Sequence, residues 1–257
     1  MRKLTIIALD DFPLVEPKDD VAKIIFGVVA RNGLKLEDSD VIVAAQKIFS
    51  KAEGRMVKLK DVIPSEKANE LAKTTLKDPR FIELVLRETK RIIKVSNETL
   101  LVEDKRGLIC INAGIDKSNV KGRDNYALLP EDPDKSAEKC RMDLKKLTGK
   151  NVGIIISDTY SRPFRRGQVN FAIGIAGVNL FKDYRGKKDL FGQMLKVKNV
   201  AVVDEIAAAA ELLMGQATEK SPVVILRGLD DALGFSGKNR TSGLFISNEE
   251  DLFSDAL

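Results

Sequence analysis

Val152-Gly153-Ile154-Ile155-Ile156-Ser157-Asp158-Thr159 is a continuous apolar run that stops at an acid and a hydroxyl. An unbroken apolar run, without alternation, marks a strand buried inside the protein. The strand is expected to span Val152 to Ser157 and to end abruptly at Asp158-Thr159. Upstream, Ser136 to Leu147 reads as a helix closed by Gly149, after a Pro- and Asp-rich loop from Leu128 to Asp134. Downstream, a basic turn leads to the apolar, small-residue stretch Val169 to Leu180, the helix Ala201 to Met214 and a last strand, Pro222 to Leu226.

The N-terminal half continues the alternation. Leu4 to Leu9 reads as a strand, Asp19 to Arg31 as a helix capped by Asn32-Gly33, and Asp40 to Phe49 as a second strand before the polar turn Ser50 to Gly54. Ser65 can N-cap a helix to about Lys77, and Pro79 at a first helical position starts another to about Thr89. Three short β-like runs follow, Arg91 to Val95, Thr99 to Val102 and Gly107 to Asn112. Strands and helices in this order predict an α/β protein of the mixed α+β kind. No repeat, low-complexity tract or linker divides residues 1–257, which are taken as one domain with no subdomain boundary marked.

Composition removes several kinds of chemistry. The chain has no histidine, so Ser-His-Asp and Cys-His nucleophile systems and HExxH zinc sites are impossible. Its two cysteines, Cys110 and Cys140, are far apart, which excludes a cysteine zinc cage. Proton transfer and metal binding must fall to Asp, Glu, Lys, Tyr and neutral oxygens, and oxygen ligands select hard cations such as Mg²⁺ or Mn²⁺. A net charge of +5 without a run of five basic residues is mild for a nucleic-acid binder. No apolar run approaches the roughly 20 residues that cross a bilayer. The expected compartment is the cytoplasm.

Five constellations can carry chemistry, each with a plainer reading beside it. Asp158-Thr159 at a strand end matches the carboxylate and hydroxyl with which phosphoryl-transfer enzymes hold Mg²⁺; alternatively Asp158 caps a turn. Asn112 to Asn119, with Asp116, follows an apolar strand and either reaches a ligand or stabilises turns. Arg162, Arg165 and Arg166 suit an anionic substrate, or form a solvated basic face. Gln216, just past Gly215 at a helix end, offers a neutral carbonyl to a metal or lies in a surface loop. Lys47 and Lys51 can neutralise nucleotide phosphates or be ordinary surface lysines. A P-loop is absent: Gly237-Lys238 is followed by Asn239, and position 232 is Ala.

Taken in order, AQKIFSKAEGR (45–55), ICINAGIDKSNV (109–120), LLPEDPDKSAEK (128–139), IISDTYSRPFRRGQ (155–168) and AIGIAGV (172–178) resemble the F420-0:γ-glutamyl ligase family. DYRGKKDLFGQ (183–193), AVVDEIAAAAELLMGQ (201–216) and PVVILRG (222–228) complete the resemblance, which covers most of the chain. It implies a ligase that uses GTP and Mg²⁺ or Mn²⁺, with K⁺ as a further ion, to add L-glutamate to the lactyl carboxylate of F420-0. A second, γ-linked glutamate follows.

The same resemblance implies that Asp116 and Asp158 ligate one metal and that Thr159 and Gln216 ligate a second. It places the nucleotide against Phe12, Pro13, Leu14, Val15, Gln46, Lys47, Lys51, Asn119 and the loop beginning at Met214, Gly215 and Gln216. No residue is singled out as the general base. The implied fold is a two-part ligase forming an intertwined homodimer, with no room for the nitroreductase-like domain that some relatives carry. The competing readings are an amino-acid ligase acting on another phosphorylated acceptor and a basic nucleic-acid-binding module without activity.

Overall fold

The computed structural model describes residues 1–235, 239–247 and 249–251, so Gly237 and Lys238 lie outside it. Its strands are β1 (Thr5–Ala8), β2 (Val41–Ala45), β3 (Met56–Lys58), β4 (Thr89–Ser96), β5 (Thr99–Asp104), β6 (Ile109–Ile111), β7 (Asn125–Ala127), β8 (Gly153–Ser161), β9 (Gln168–Ala176), β10 (Lys182–Asp183), β11 (Asn199–Val200) and β12 (Val223–Arg227). The helices are α1 (Val21–Arg31), α2 (Gln46–Ala52), α3 (Glu66–Thr75), α4 (Pro79–Glu88), α5 (Pro133–Thr148) and α6 (Val202–Met214). The chain divides into two units: residues 1–52 with 132–244, and residues 53–131 with 245–257.

In the first unit the apolar runs build a five-stranded sheet in the order β1-β12-β2-β8-β9. Only β2 and β8 pair in parallel, from Val41 opposite Gly153 to Ala45 opposite Ser157. The other pairs are antiparallel. Hence β1, β2 and β8 run the same way and end at one edge of the sheet, where β9 and β12 begin.

Helices cover both faces, which is why β2 and β8 carry unbroken apolar runs. On one face Val43, Ile155 and Val224 pack against Ile206, Ala207 and Ala210 of α6, whose alanines allow close approach. On the other face α5 packs on β8 and β9, and α1 packs on α5. Ile42, Ile154, Ile156 and Ile225 are fully buried. Each such side chain is worth about 1.5–3 kcal/mol relative to exposure.

The join of α5 to β9 is specific. A Cβ on Gly174 would lie 2.5 Å from the backbone carbonyl of Pro133. Asp134, in the first turn of α5, accepts a bond from the Ile175 N–H at 2.9 Å and from the Thr241 hydroxyl at 3.1 Å.

The second unit holds the antiparallel meander β4-β5-β6, the pair β3-β7 and helices α3 and α4. Its core includes Ile82, Leu84, Val85, Leu100 and Val102. Ser65 caps α3 and Asp78 caps α4, with Pro79 at the helix start.

Three sequence expectations need correction. The apolar stretch Asp40 to Phe49 is not one strand: β2 stops at Ala45, and Gln46 to Ala52, including part of the expected polar turn, is helix α2. β8 does not stop at Ser157, because cross-strand pairing with β9 carries it through Asp158 and Thr159 to Ser161. Pro133 and Asp134 are not loop but the first residues of α5. The short β10-β11 pair, Lys182–Asp183 with Asn199–Val200, has no counterpart among the sequence expectations.

Candidate active site

Strand direction brings the candidates of the first unit to one edge of the sheet. β1 delivers Phe12 to Val15, β2 delivers Gln46 and Lys47, and β8 delivers Asp158 and Thr159. β12 begins there, preceded by the loop that carries Gln216. Hydrogen bonds tie these segments together. The Phe12 N–H donates to the Lys220 carbonyl at 3.2 Å, the Ala45 N–H to the Pro222 carbonyl at 2.9 Å, and the Ser221 hydroxyl to the Asp10 carboxylate at 3.1 Å. Such an edge, outside the carboxyl ends of parallel strands, is where ligands bind in open α/β sheets.

Because Asp158 and Thr159 lie within a strand, their side chains point to opposite faces of the sheet. This corrects the local reading in which carboxylate and hydroxyl hold one ion together. Thr159 faces the α6 side. Its hydroxyl donates to Asn170 Oδ1 at 3.0 Å and accepts from Gln216 Nε2 at 2.9 Å. Gln216 Nε2 also donates to Glu211 Oε1 at 2.6 Å, and Asn170 Nδ2 donates to Glu211 Oε2 at 2.7 Å. Burial pushes the Glu211 carboxyl up, with nearby Glu219 adding to the effect and the Gln216 and Asn170 amides opposing it.

Asn170 and Glu211 were not singled out from sequence. Nothing local marks Asn170, which matters through its register opposite Thr159. Glu211 precedes Gln216 by five residues in an alanine-rich helix whose sequence does not show which way it faces.

The oxygens gathered here suit a hard cation. Hydroxyl, amide and carboxylate groups are the donors such ions take; Thr159 and Gln216 supply the first two on the α6 face, and Asp158 a carboxylate on the other. Among the described residues no trio of carboxylates and thiols forms a ready metal cluster.

Gly215 ends α6 at φ +68°, a conformation that residues with a Cβ rarely adopt, so the turn into Gln216 favours glycine. The Met214 side chain belongs to the core under α6.

The basic and N-terminal candidates have distinct settings. Gln46 is buried, and among the described residues its Nε2 has no hydrogen-bond partner, while its Oε1 accepts from the Ser50 hydroxyl at 2.7 Å. Lys47 and Lys51 stand one turn apart on α2. Burial pulls the Lys51 ammonium below its usual range and Lys47 reinforces this, against the attraction of Glu16. Phe12 and Val15 are buried, which leaves the backbone of their turn to meet a ligand, whereas Leu14 is exposed. Arg162, Arg165 and Arg166 lie in the hairpin turn between β8 and β9. Arg165 and Arg166 are exposed, and the Nε of half-buried Arg162 is buried without a partner among the described residues.

Asp116 and Asn119 lie in the second unit. Asp116 accepts from the Ser118 N–H and hydroxyl, both at 2.7 Å, and its backbone bridges Ala127. Asn112 Oδ1 accepts from the Leu100 N–H at 3.0 Å, a turn-stabilising bond. Asn112, Ala113 and Gly114 all have positive φ, one left-handed turn leading into Asp116.

Comparison with known proteins identifies the family. A family model described as F420-0:Gamma-glutamyl ligase matches residues 11–228. A protein named Coenzyme F420:L-glutamate ligase in Methanocaldococcus jannaschii is 47% identical over 219 residues, covering 85% of this chain and 86% of that one. Proteins of the same name are 42% identical in Methanopyrus kandleri, covering 98% and 100%, and 43% identical in Archaeoglobus fulgidus, covering 99% and 98%. With a match across most of the chain, and at such identity, the chain belongs to the F420-0:γ-glutamyl ligase family.

Proposed function

We propose that this protein ligates L-glutamate to F420-0 at the expense of GTP, with Mg²⁺ or Mn²⁺ bound at the sheet edge and K⁺ as an accessory ion. The observation that carries the reading is the convergence of Gln46, Lys47, Asp158, Thr159 and Gln216 at one edge of one sheet, in a chain belonging to a ligase family. The names of the relatives supply the acceptor and the amino acid.

A carboxylate is a poor electrophile. In the proposed sequence an oxygen of the acceptor carboxylate attacks the γ-phosphorus of GTP, the bond to the β,γ-bridging oxygen breaks, and GDP leaves. The glutamate amine then attacks the acyl phosphate carbon, the C–O bond to phosphate breaks, the amine's proton passes to the departing phosphate, and an amide and hydrogen phosphate result. The bound cations would spread the charge that builds on the phosphoryl oxygens. Asp158 supplies an anionic ligand, Thr159 and Gln216 neutral ones, and Asp116 is kept as a ligand on the family resemblance alone. Lys47 and Lys51 offset phosphate charge, and the unpartnered Gln46 amide gives a donor to a nucleotide oxygen. Arg162, Arg165 and Arg166 attract the acceptor's phosphodiester. The protein acts as a homodimer.

The test is mass spectrometry of F420-0 incubated with the protein, GTP, Mn²⁺ and glutamate. A mass gain of one or two glutamyl residues is expected, dependent on every component. Asp158→Asn and Asp116→Asn should each abolish the gain while the fold persists. Normal turnover in Asp158→Asn would sink the assignment.

A further inference from the structure

Glu211 holds the key position in the polar cluster between β8, β9 and α6. Its two oxygens meet two different amides, Gln216 Nε2 at 2.6 Å and Asn170 Nδ2 at 2.7 Å. An ionised carboxylate can only accept, so it must face the NH₂ end of each amide. That choice propagates. With its NH₂ end on Glu211, Asn170 presents Oδ1 to Thr159 at 3.0 Å, and an oxygen there takes the hydroxyl proton. The Thr159 oxygen therefore turns its lone pairs, not its proton, away from Asn170. Likewise Gln216 has its NH₂ group fixed by Glu211 and Thr159, which turns Oε1 away from the carboxylate.

We propose that Glu211 is a positioning residue: the acceptor-only carboxylate sets the polarity of the Asn170–Thr159–Gln216 network so that oxygen lone pairs, not protons, are offered to a cation. The inference rests on the reading of Thr159 and Gln216 as ligands of one metal. Outer partners of this kind commonly change metal affinity by about 10–100-fold.

The experiment measures Mn²⁺ binding by electron paramagnetic resonance, on the whole protein with a non-hydrolysable GTP analogue, alongside melting temperature without metal. Thr159→Val tests the underlying reading and should weaken one class of bound Mn²⁺. Glu211→Gln should weaken the same class by about tenfold or more, because one of the two amides then faces an NH₂ group. The double variant Glu211→Gln with Asn170→Asp moves the carboxylate to the other end of that contact and keeps every bond paired. The amide introduced at position 211 would accept from Gln216 and donate to the carboxylate introduced at 170, which still accepts from Thr159, so binding and melting temperature should recover most of the loss.

If Thr159→Val binds Mn²⁺ like the parent, the metal reading itself is wrong and the proposal goes with it. If Thr159→Val loses Mn²⁺ and Glu211→Gln does not, only the role of Glu211 is overturned. Should Glu211→Gln fail to fold alone, the double variant decides: it must fold and bind Mn²⁺, and its failure to do either overturns the proposal.

Discussion

Lys51 sits half-buried on α2 one turn after Lys47, and its ammonium is held below its usual pKa by burial first and by the second ammonium next. In the ligand-free chain that charge opposes folding, and a bound triphosphate would reverse the balance. Lys51→Met should therefore weaken GTP binding by about ten- to a hundredfold, the worth of a charge-assisted hydrogen bond of about 1.5–3 kcal/mol, without lowering the melting temperature. The sign of the pH effect follows. A lysine whose folded pKa is depressed leaves the parent less stable at neutral pH, and stability returns as pH rises from the depressed value towards 10.5. Lys51→Met lacks that rise, which urea midpoints between neutral and alkaline pH would detect; a matching rise in both proteins would contradict the argument. Asp158, Thr159 and Gln216 stand out as candidates in the sequence because each follows a strong element signal, a buried strand or an alanine-rich helix closed by glycine. Asn170 and Glu211 do not, because their importance lies in cross-strand register and helix facing, which no local pattern encodes.

Elements show the same division between what periodicity reveals and what packing decides. The β8 run was read correctly as buried, yet its end was placed four residues early, because polar residues paired to β9 at a sheet edge do not look like strand. Gln46 to Ala52 was misread in part because Ile48 and Phe49 extend the apolar run of β2, and a helix of seven residues shows too little of its period to be distinguished. The small residues of β9 acquire a reason only in three dimensions. Gly174 admits the start of α5, where a Cβ would lie 2.5 Å from Pro133 carbonyl atoms, and backbone cannot yield as a side-chain tip can. Gly174→Ala should cost about 1–3 kcal/mol, the range for overpacking a filled core, read as a lower urea midpoint. Because α5 is tied to β9 again through Asp134 and the Ile175 N–H, the loss should appear as faster amide exchange at Ile175. Unchanged exchange and an unchanged midpoint would show that the contact relaxes without cost.

At the level of the whole molecule, the segment between β10 and β11 is difficult to explain in a lone chain. It is internally ordered: the Tyr184 N–H donates to the Lys198 carbonyl at 3.0 Å, the Leu195 N–H to the Lys187 carbonyl at 2.8 Å, and Asp189 accepts from the Phe191 and Gln193 N–H groups at 2.9 and 2.8 Å. This structured arm nonetheless holds Leu190 at 99%, Phe191 at 89% and Val197 at 88% exposure. Burying a Leu or Phe side chain is worth about 1.5–3 kcal/mol, so an ordered strip that leaves these groups in water is the mark of an interaction site. Under the proposed homodimer the arm's apolar tip is covered by a second copy of the chain. Leu190→Lys with Phe191→Lys should then yield monomers by light scattering at concentrations where the parent is dimeric. The sheet should remain intact, because neither side chain contributes to the core beneath α6. A parent that is monomeric throughout, or a double variant that dimerises as well as the parent, would remove the arm from the interface and leave its exposed side chains to be explained by something other than self-association.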